Sequence, residues 1–279
     1  MSTFQKIIKA LAIALAVFII FSIVSGIISV IAAISGINFI TDIFTIDETE
    51  LVNFSENYDV EQVTSLDIES SIAELNILKS DKLAVEANNV TDKFSAQVEN
   101  GKLIIKEKTK SNITINSNVD SNITIYIPEG YVFETVDVET GVGKTYIESL
   151  ESNIIELSIG VGNLEVDFMD AKTKADIEAG VGKLDIRNSV INSLSFEAGV
   201  GDYNITTYLT GNSKFECGVG NGNITLNDFS EDASKIRIEK GLGDIKINGQ
   251  SYSDSQTYGT GVDLIEVEGG VGKIDITLN

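Results

Sequence analysis

The chain has 279 residues, with 42 aspartates and glutamates against 20 lysines and arginines, and therefore a net charge of -22. It contains no histidine, which excludes nucleophile systems with a histidine base and metal sites built on imidazole. Its acidity also opposes binding to nucleic acid. Because the single cysteine forms no disulfide within the chain, stability has to come from packing.

The amino-terminal segment predicts a membrane anchor. Residues 10–41 contain no charged side chain. This run exceeds the ~20 apolar residues that a membrane helix needs and the ~7–15 of a cleaved signal, so we expect a retained signal-anchor helix. Lys6 and Lys9, in residues 1–9, precede it, and acidic residues follow. The positive-inside bias therefore predicts a single-pass protein of the cell membrane, with a cytoplasmic amino terminus and an extracellular β domain.

The segment after the anchor predicts a stalk and then strands. Residues 42–59 are acidic and predict a stalk, whereas residues 60–279 predict an extracytoplasmic β domain. In residues 60–130, alternating apolar pairs such as Leu66 and Ile68 predict strands. Because these strands lack the glycine motif described next, we expect them to form irregular capping coils.

Residues 131–279 are organised by a repeated Gly-Val-Gly motif, with Gly-Leu-Gly in one copy. A repeat period near twenty residues is typical of stacked-repeat architectures. We therefore predict an all-β fold, a parallel β-helix or solenoid with coils of ~20 residues. The first glycines of the seven copies are Gly141, Gly160, Gly180, Gly199, Gly218, Gly241 and Gly270.

Each repeat also predicts which side chains face inward. Phe196 and Val200 are an even number of residues apart, as residues on one buried face of a strand are. The alternation is interrupted at Gly201, where glycine permits a corner. We expect Val190 and Leu194 to point inward from a third side. Three inward columns, meaning residues at equivalent positions of successive coils, follow. The column before the glycines is Val138, Leu157, Ile177, Phe196, Phe215, Ile238 and Val267. The central column is Val142, Val161, Val181, Val200, Val219, Leu242 and Val271. The column after the corner is Ile147, Val166, Ile186, Ile205, Ile224, Ile247 and Ile276.

A further column predicts an outward ladder of carboxylates two places before each motif. Its members are Glu139, Ser158, Glu178, Glu197, Glu216, Glu239 and Glu268. One interpretation is a solvated face that prevents sheets from pairing. The other is weak binding of Ca²⁺, or of a cationic partner, at Glu178, Glu197, Glu216 and Glu239, with a dissociation constant on the order of 10⁻⁴–10⁻³ M for calcium.

The run from Thr64 to Ile77, the segment from Ile123 to Gly130 and the glycine repeats together resemble the bacterial "putative adhesin" β-strand-repeat family. The resemblance covers residues 64–279. It implies a β-helix in a bacterial envelope protein, often membrane-anchored, and it brings no catalytic motif.

These observations predict a non-enzymatic, membrane-anchored β-helix that acts in adhesion, envelope sensing or scaffolding. The expected partners are the membrane, through the amino-terminal helix, and cell-wall or envelope components or other membrane proteins. One alternative is a structural rod that assembles head to tail through its last coil, which ends at Asn279. A second alternative is a carbohydrate-active enzyme, although the acids recur evenly along the repeats instead of clustering.

Overall fold

The computed structural model describes residues 51–107 and 121–279, which belong to one unit. Residues 1–9 and the membrane helix predicted at residues 10–41 lie outside them. No helix in the described ranges has the length and apolar character to cross a bilayer.

The described chain is built from strands, apart from one 3-10 turn at Val60–Gln62, which agrees with the predicted all-β class. The strands before the regular repeats are β1 (Leu51–Tyr58), β2 (Ser65–Ile72), β3 (Glu74–Ser80), β4 (Leu83–Thr91), β5 (Ser95–Glu99), β6 (Lys102–Glu107) and β7 (Asn122–Pro128). The long repeat strands are β8 (Val132–Ile147), β9 (Leu150–Val166), β10 (Met169–Asn192), β11 (Leu194–Thr210) and β12 (Ser213–Leu226). The remainder are β13 (Ser234–Glu239), β14 (Asp244–Ile247), β15 (Gln250–Tyr252), β16 (Thr257–Gly259), β17 (Asp263–Glu268) and β18 (Val271–Leu278).

Strands β8 to β12 stack in parallel and in the register that the repeats predict. Ile177 lies opposite Leu157 on one side and Phe196 on the other. Pairing continues past the corner, where Ile186 lies opposite Val166 and Ile205. The predicted parallel solenoid is therefore present in this part of the chain.

The order of the last two coils differs from their order in the sequence. Strands β17 and β18 pair in parallel with β12 on one side, and with β13 and β14 on the other. The seventh motif is thus inserted between the fifth and the sixth. This corrects the prediction that the last coil offers a free edge for head-to-tail assembly, because both of its edges are already paired. The coil of β13 and β14 lies at the end, where β16 and β15 pair with it antiparallel.

The regular coils also begin earlier than predicted. Ile68 of β2 lies opposite Val138, and Ile77 of β3 lies opposite Ile147, so β2 and β3 form one more coil in parallel with β8. Beside this coil, β4 pairs antiparallel with β1 and β7, and β5 pairs antiparallel with β6, and these strands form the irregular cap. The predicted stalk is too long, because residues 51–58 form β1 and pair with β4.

Two of the three predicted core columns are correct. Every member of the column before the glycines and of the column after the corner is buried. The central column was predicted wrongly, because each of its members from Val142 to Val271 is exposed. A valine at the apex of a convex corner projects away from the interior, and strand parity cannot be extended through such a corner.

The third side of the coil is partly as predicted. Leu194 is buried, but Val190 is exposed and its neighbour Ile191 is buried instead. The pairing of β10 with β11 shifts register between Ile186 and Ser189, so the parity counted from the preceding strand no longer applies there.

Candidate functional site

The glycine corner brings the backbones of successive coils into close contact. Gly201 has a φ of 149°, and a Cβ built on it would lie 1.7 Å from the carbonyl oxygen of Gly182. A side chain at this position would collide with the coil beside it. The corner therefore requires glycine for both its conformation and its close approach.

The valines between these glycines form a continuous exposed strip. Val142, Val161, Val181, Val200, Val219 and Val271 are each 48% to 50% exposed. Ile72 of β2 extends the strip at one end, opposite Val142. Leu242 extends it at the other, where its N–H donates to the carbonyl oxygen of Gly270. We call these eight residues the aliphatic ladder.

The predicted carboxylate column does point outward. Glu139, Glu178, Glu197 and Glu239 are exposed, whereas Ser158, Glu216 and Glu268 are half-buried. We call this set, with Glu69, the acidic ladder.

The structure brings only three of the four predicted cation ligands together. Glu197 lies opposite Glu178 and Glu216 in the parallel register. Glu239 does not follow Glu216, because Glu268 of the inserted coil lies between them. This is a correction to the predicted set, and it follows from the order of the coils.

Sequence reasoning missed Glu69 as a member of the ladder. Glu69 lies opposite Glu139, and the Ser71-Ile72-Ala73 segment takes the place of Gly-Val-Gly. The signal was present, because residues 69–77 match residues 139–147 in their pattern of acid, corner and apolar positions. The missing glycines concealed it.

A second acidic column, also missed, lies two residues before the first. Asp137 is opposite Asp67 and Glu156, and Asp176 is opposite Glu156. Partial burial raises the pKa of the Asp137 carboxyl above its usual range, and the nearby Asp67 charge adds to the shift. Two adjacent columns therefore concentrate negative charge on one sheet face.

Lysines neutralise part of this face. Lys214 Nζ lies 2.6 Å from Glu216 Oε1 and 2.9 Å from Glu268 Oε1, and these two partners raise its pKa. Lys106 pairs with Glu69 at 3.3 Å. In the described ranges Glu139, Glu178 and Glu197 form no ion pair. Glu239, in the end coil, forms no ion pair in the described chain either, so uncompensated charge lies both in the middle of the solenoid and at its end.

The acidic face offers a shallow surface. A groove of about 370 Å³ runs along the glycine corner beside Glu139, Glu178 and Glu197. Within residues 51–107 and 121–279, no three acidic, cysteine or histidine side chains converge to hold a metal ion. Every coil except that of Ser158 contributes one carboxylate to the acidic ladder, so chemically this face can attract cations or a basic partner.

The single cysteine packs in the interior of the stack. Cys217 lies opposite Ala198 in the register, and burial raises the pKa of its thiol to about 11. Tyr203 is buried beside it, and its hydroxyl accepts and donates no hydrogen bond within the described chain. A thiol that stays protonated at neutral pH is a poor nucleophile, so Cys217 is a packing residue.

Arg187 links neighbouring coils beyond the glycine corner. Its guanidinium nitrogens lie 2.9 Å from Glu165, 2.9 Å from Asp167 and 2.6 Å from Asp185. Tyr146 donates its hydroxyl to Asp167 Oδ2 at 2.7 Å, which raises the pKa of Tyr146 to about 12. The cluster joins three successive coils, and its groups are satisfied by one another.

Three solved structures are similar to this chain over most of its length. A crystal structure of a "putative adhesin" from Bacteroides fragilis matches with a TM-score of 0.52 and 17% identity, covering 82% of this chain and 98% of that one. A "putative cell adhesion protein" from Clostridium sporogenes is 20% identical over 82% of this chain and 100% of that one, with a TM-score of 0.31. A "putative lipid binding protein" from Parabacteroides distasonis is 12% identical over 81% and 98%, with a TM-score of 0.33. The first of these similarities shows a shared fold.

The comparison with curated proteins finds no match. A family model described as Toastrack DUF4097 matches residues 63–264, from just before β2 to the first residues of β17. Because this match covers most of the chain, the protein belongs to the Toastrack DUF4097 family.

Proposed function

We propose that the chain is a non-enzymatic module of the cell envelope, anchored by residues 10–41, whose solenoid is displayed outside the membrane. Its role there is adhesion or scaffolding, or envelope sensing through the same surface. The proposal combines the sequence of the anchor with the surface that the solenoid presents.

The observation that carries it is the repetition of the outer surface. The same side-chain type recurs on successive coils, as at Glu178 and Glu197 or at Val181 and Val200. A surface of this kind favours an extended ligand that contacts several coils at once.

The distribution of perturbed groups supports a binding role over catalysis. The carboxyl groups with a raised pKa in the described chain, Glu107 and Asp137, lie in separate coils. Active sites usually gather such groups in one cleft. The name of the Bacteroides fragilis protein, a "putative adhesin", fits this proposal, although the similarity extends to the fold alone.

The test combines topology with ligand binding. Protease is added to intact cells that express the full chain, and removal of the solenoid is expected. The purified full chain in detergent micelles is then sedimented with isolated cell-wall material, while the release of reducing sugar ends is followed.

We expect sedimentation with the wall and no release of sugar ends. Protection of the solenoid until the cells are permeabilised would overturn the topology. Release of sugar ends would establish the carbohydrate-active alternative, and failure to bind any wall fraction would overturn the adhesive role.

A further inference from the structure

The aliphatic ladder is an apolar surface that the fold of a single chain does not cover. Single exposed valines are normal on proteins, but here eight aliphatic side chains stand in one row, from Ile72 to Leu242, and are 36% to 64% exposed. The largest contiguous apolar patch on a protein surface, typically ~300–600 Å², is often a functional site. Each of the six valines is 48% to 50% exposed.

The glycines make this strip prominent. The residues that flank Val200 are Gly199 and Gly201, which have no side chains, so nothing beside the valine shields it within its own coil. The same holds for each coil from β8 to β12. The strip is therefore narrow and accessible to a second surface.

Charged columns border the strip on both sides, and in three coils their charges are opposite. The acidic ladder precedes the valines, and a column of lysine, asparagine and aspartate, with Glu74 in the first coil, follows them. In three coils, a glutamate of the acidic ladder is matched by a lysine on the other side of the strip. In the coil where the ladder residue is Ser158, the residue on the other side is Asn163, so neither is charged. The three charged pairs are Glu139 with Lys144, Glu178 with Lys183, and Glu268 with Lys273.

The remaining coils lack this pairing of glutamate with lysine, and most of their acidic side chains have another partner within the chain. Glu216 is already neutralised by Lys214, and Asp244 is bonded to Lys240 at 3.0 Å. Asp202 accepts a hydrogen bond from the backbone N–H of Asn221 at 3.1 Å. In the first coil Glu69 and Glu74 both border the strip, and Lys106 pairs with Glu69. In the coil with Glu197 and Asp202, two acids border the strip without a cation.

Two-fold symmetry decides which columns would meet between two copies of the chain. A two-fold axis parallel to the solenoid places each coil opposite its own counterpart, with the acidic ladder of one copy against the lysine-bearing column of the other. A two-fold axis perpendicular to the solenoid can also bring the two strips together. It would place the acidic ladder of one copy against the acidic ladder of the other. Like charges at such a contact are unfavourable, so the first arrangement is preferred.

We propose that two copies of this chain associate side by side and in parallel, with their aliphatic ladders in contact and Glu178 of each copy opposite Lys183 of the other. Lys144 and Lys183 form no ion pair within the described chain, so both are free to make this contact. An anionic lipid surface is a poorer occupant, because the acidic columns beside the strip would repel it. The inference does not depend on the proposed function.

The size of the strip indicates a weak association. A stable interface buries ~800 Å² on each partner, whereas a single row of half-exposed aliphatic residues supplies a few hundred. We therefore expect a reversible dimer, strengthened when two chains are held on one surface.

Cysteine cross-linking in the full chain tests the arrangement. The background is Cys217→Ala, since alanine occupies the equivalent position at Ala179 and Ala198. Val142→Cys, Val200→Cys and Val271→Cys are then prepared separately and oxidised in detergent micelles. In the parallel dimer each variant cross-links with itself.

The pair Val142 and Val271 separates the two orientations, because these residues lie at equal distances from the two ends of the ladder. A crosswise axis would join Val142→Cys to Val271→Cys in a mixture and would leave each variant uncross-linked alone. That outcome overturns the parallel arrangement. Val190→Cys, an exposed valine on another side of the coil, is the control for random collision. Cross-linking no greater at the ladder than at Val190→Cys overturns the proposal.

A charge exchange tests the bordering columns. In the Val200→Cys chain, Lys183→Glu or Glu178→Lys alone places like charges opposite each other and should reduce the cross-linked fraction several-fold. The double variant restores opposite charges and should restore cross-linking. If either single variant cross-links as well as its parent, the assigned facing of these columns is wrong.

Discussion

The ring of Tyr203 occupies the space above Gly222 in the next coil. Tyr203 lies opposite Gly222 in the register, and a Cβ on Gly222 would fall 2.0 Å from Tyr203 Cζ. Other coils place an aliphatic residue at this buried position, as at Leu164, Leu184 and Ile274. One large and one small residue thus replace two residues of medium size.

Gly222→Leu should therefore destabilise the chain, because the new side chain collides with the tyrosine ring. Overpacking of this kind costs ~1–3 kcal/mol. Thermal unfolding of the full chain in detergent measures the loss. Adding Tyr203→Leu should recover most of it, since the double variant resembles the neighbouring coils. A double variant less stable than Gly222→Leu would contradict the proposed packing.

Gly201→Ala should destabilise strongly, because alanine is strained at a φ of 149° and its Cβ would meet the carbonyl oxygen of Gly182. We expect a loss on the order of 2–4 kcal/mol in the free energy of unfolding. Val200→Thr, the adjacent exposed residue, is the matched control and should be close to neutral. Similar urea midpoints for the two variants would show that the corner tolerates a side chain.

Ile205→Asp should cost several kcal/mol, because it places an unpaired charge in a buried column. Asn204→Asp is its control on the outer face. Asn204 accepts a hydrogen bond from Asn223 Nδ2 at 2.7 Å, and aspartate can accept the same bond. A circular dichroism melt that gives both variants the same midpoint would refute the assigned faces.

Glu107 should make stability depend on pH. Burial raises its pKa above the ordinary 4.5, although a hydrogen bond from Ser70 opposes the shift. The folded chain therefore keeps a proton that the unfolded chain releases above pH 4.5. This contribution to stability is full below pH 4.5 and is lost as the pH rises through the folded pKa.

Glu107→Gln should consequently be more stable than the parent at neutral pH and less sensitive to pH above 4.5. Urea unfolding at a series of pH values measures both effects. Glu74→Gln, on the exposed face of β3, controls for the general loss of negative charge. An unchanged pH profile in Glu107→Gln would argue against a raised pKa.

Removing two charges from the centre of the acidic ladder should change the melting temperature more than adding calcium does. Glu178 and Glu197 are adjacent and without ion pairs in the described chain. Glu178→Gln with Glu197→Gln should raise the melting temperature in chelator, because it removes repulsion between neighbours. Calcium at millimolar concentration and constant ionic strength should raise the melting temperature of the parent slightly, if the ladder binds it weakly.

The same shift with calcium in the double variant would exclude these two carboxylates as ligands. Glu69→Gln serves as the control, since Lys106 already pairs with Glu69. Glu69→Gln should change the melting temperature in chelator less than the double variant does. It should also change the response to calcium less.

Spacing and alternation in the sequence were sufficient to predict a parallel all-β stack and two of its buried columns. The repeat spacing makes Ile177, Phe196 and Phe215 equivalent, and equivalent apolar residues on straight strands bury the same face. Only the tertiary structure decided which copies are neighbours, because the coil of Val271 pairs between those of Val219 and Leu242. That pairing joins residues far apart in the chain, and local pattern carries no information about it. The exposure of Val200 was likewise decided in three dimensions, since at the apex of a corner the alternation of faces no longer holds and an apolar side chain can project into solvent.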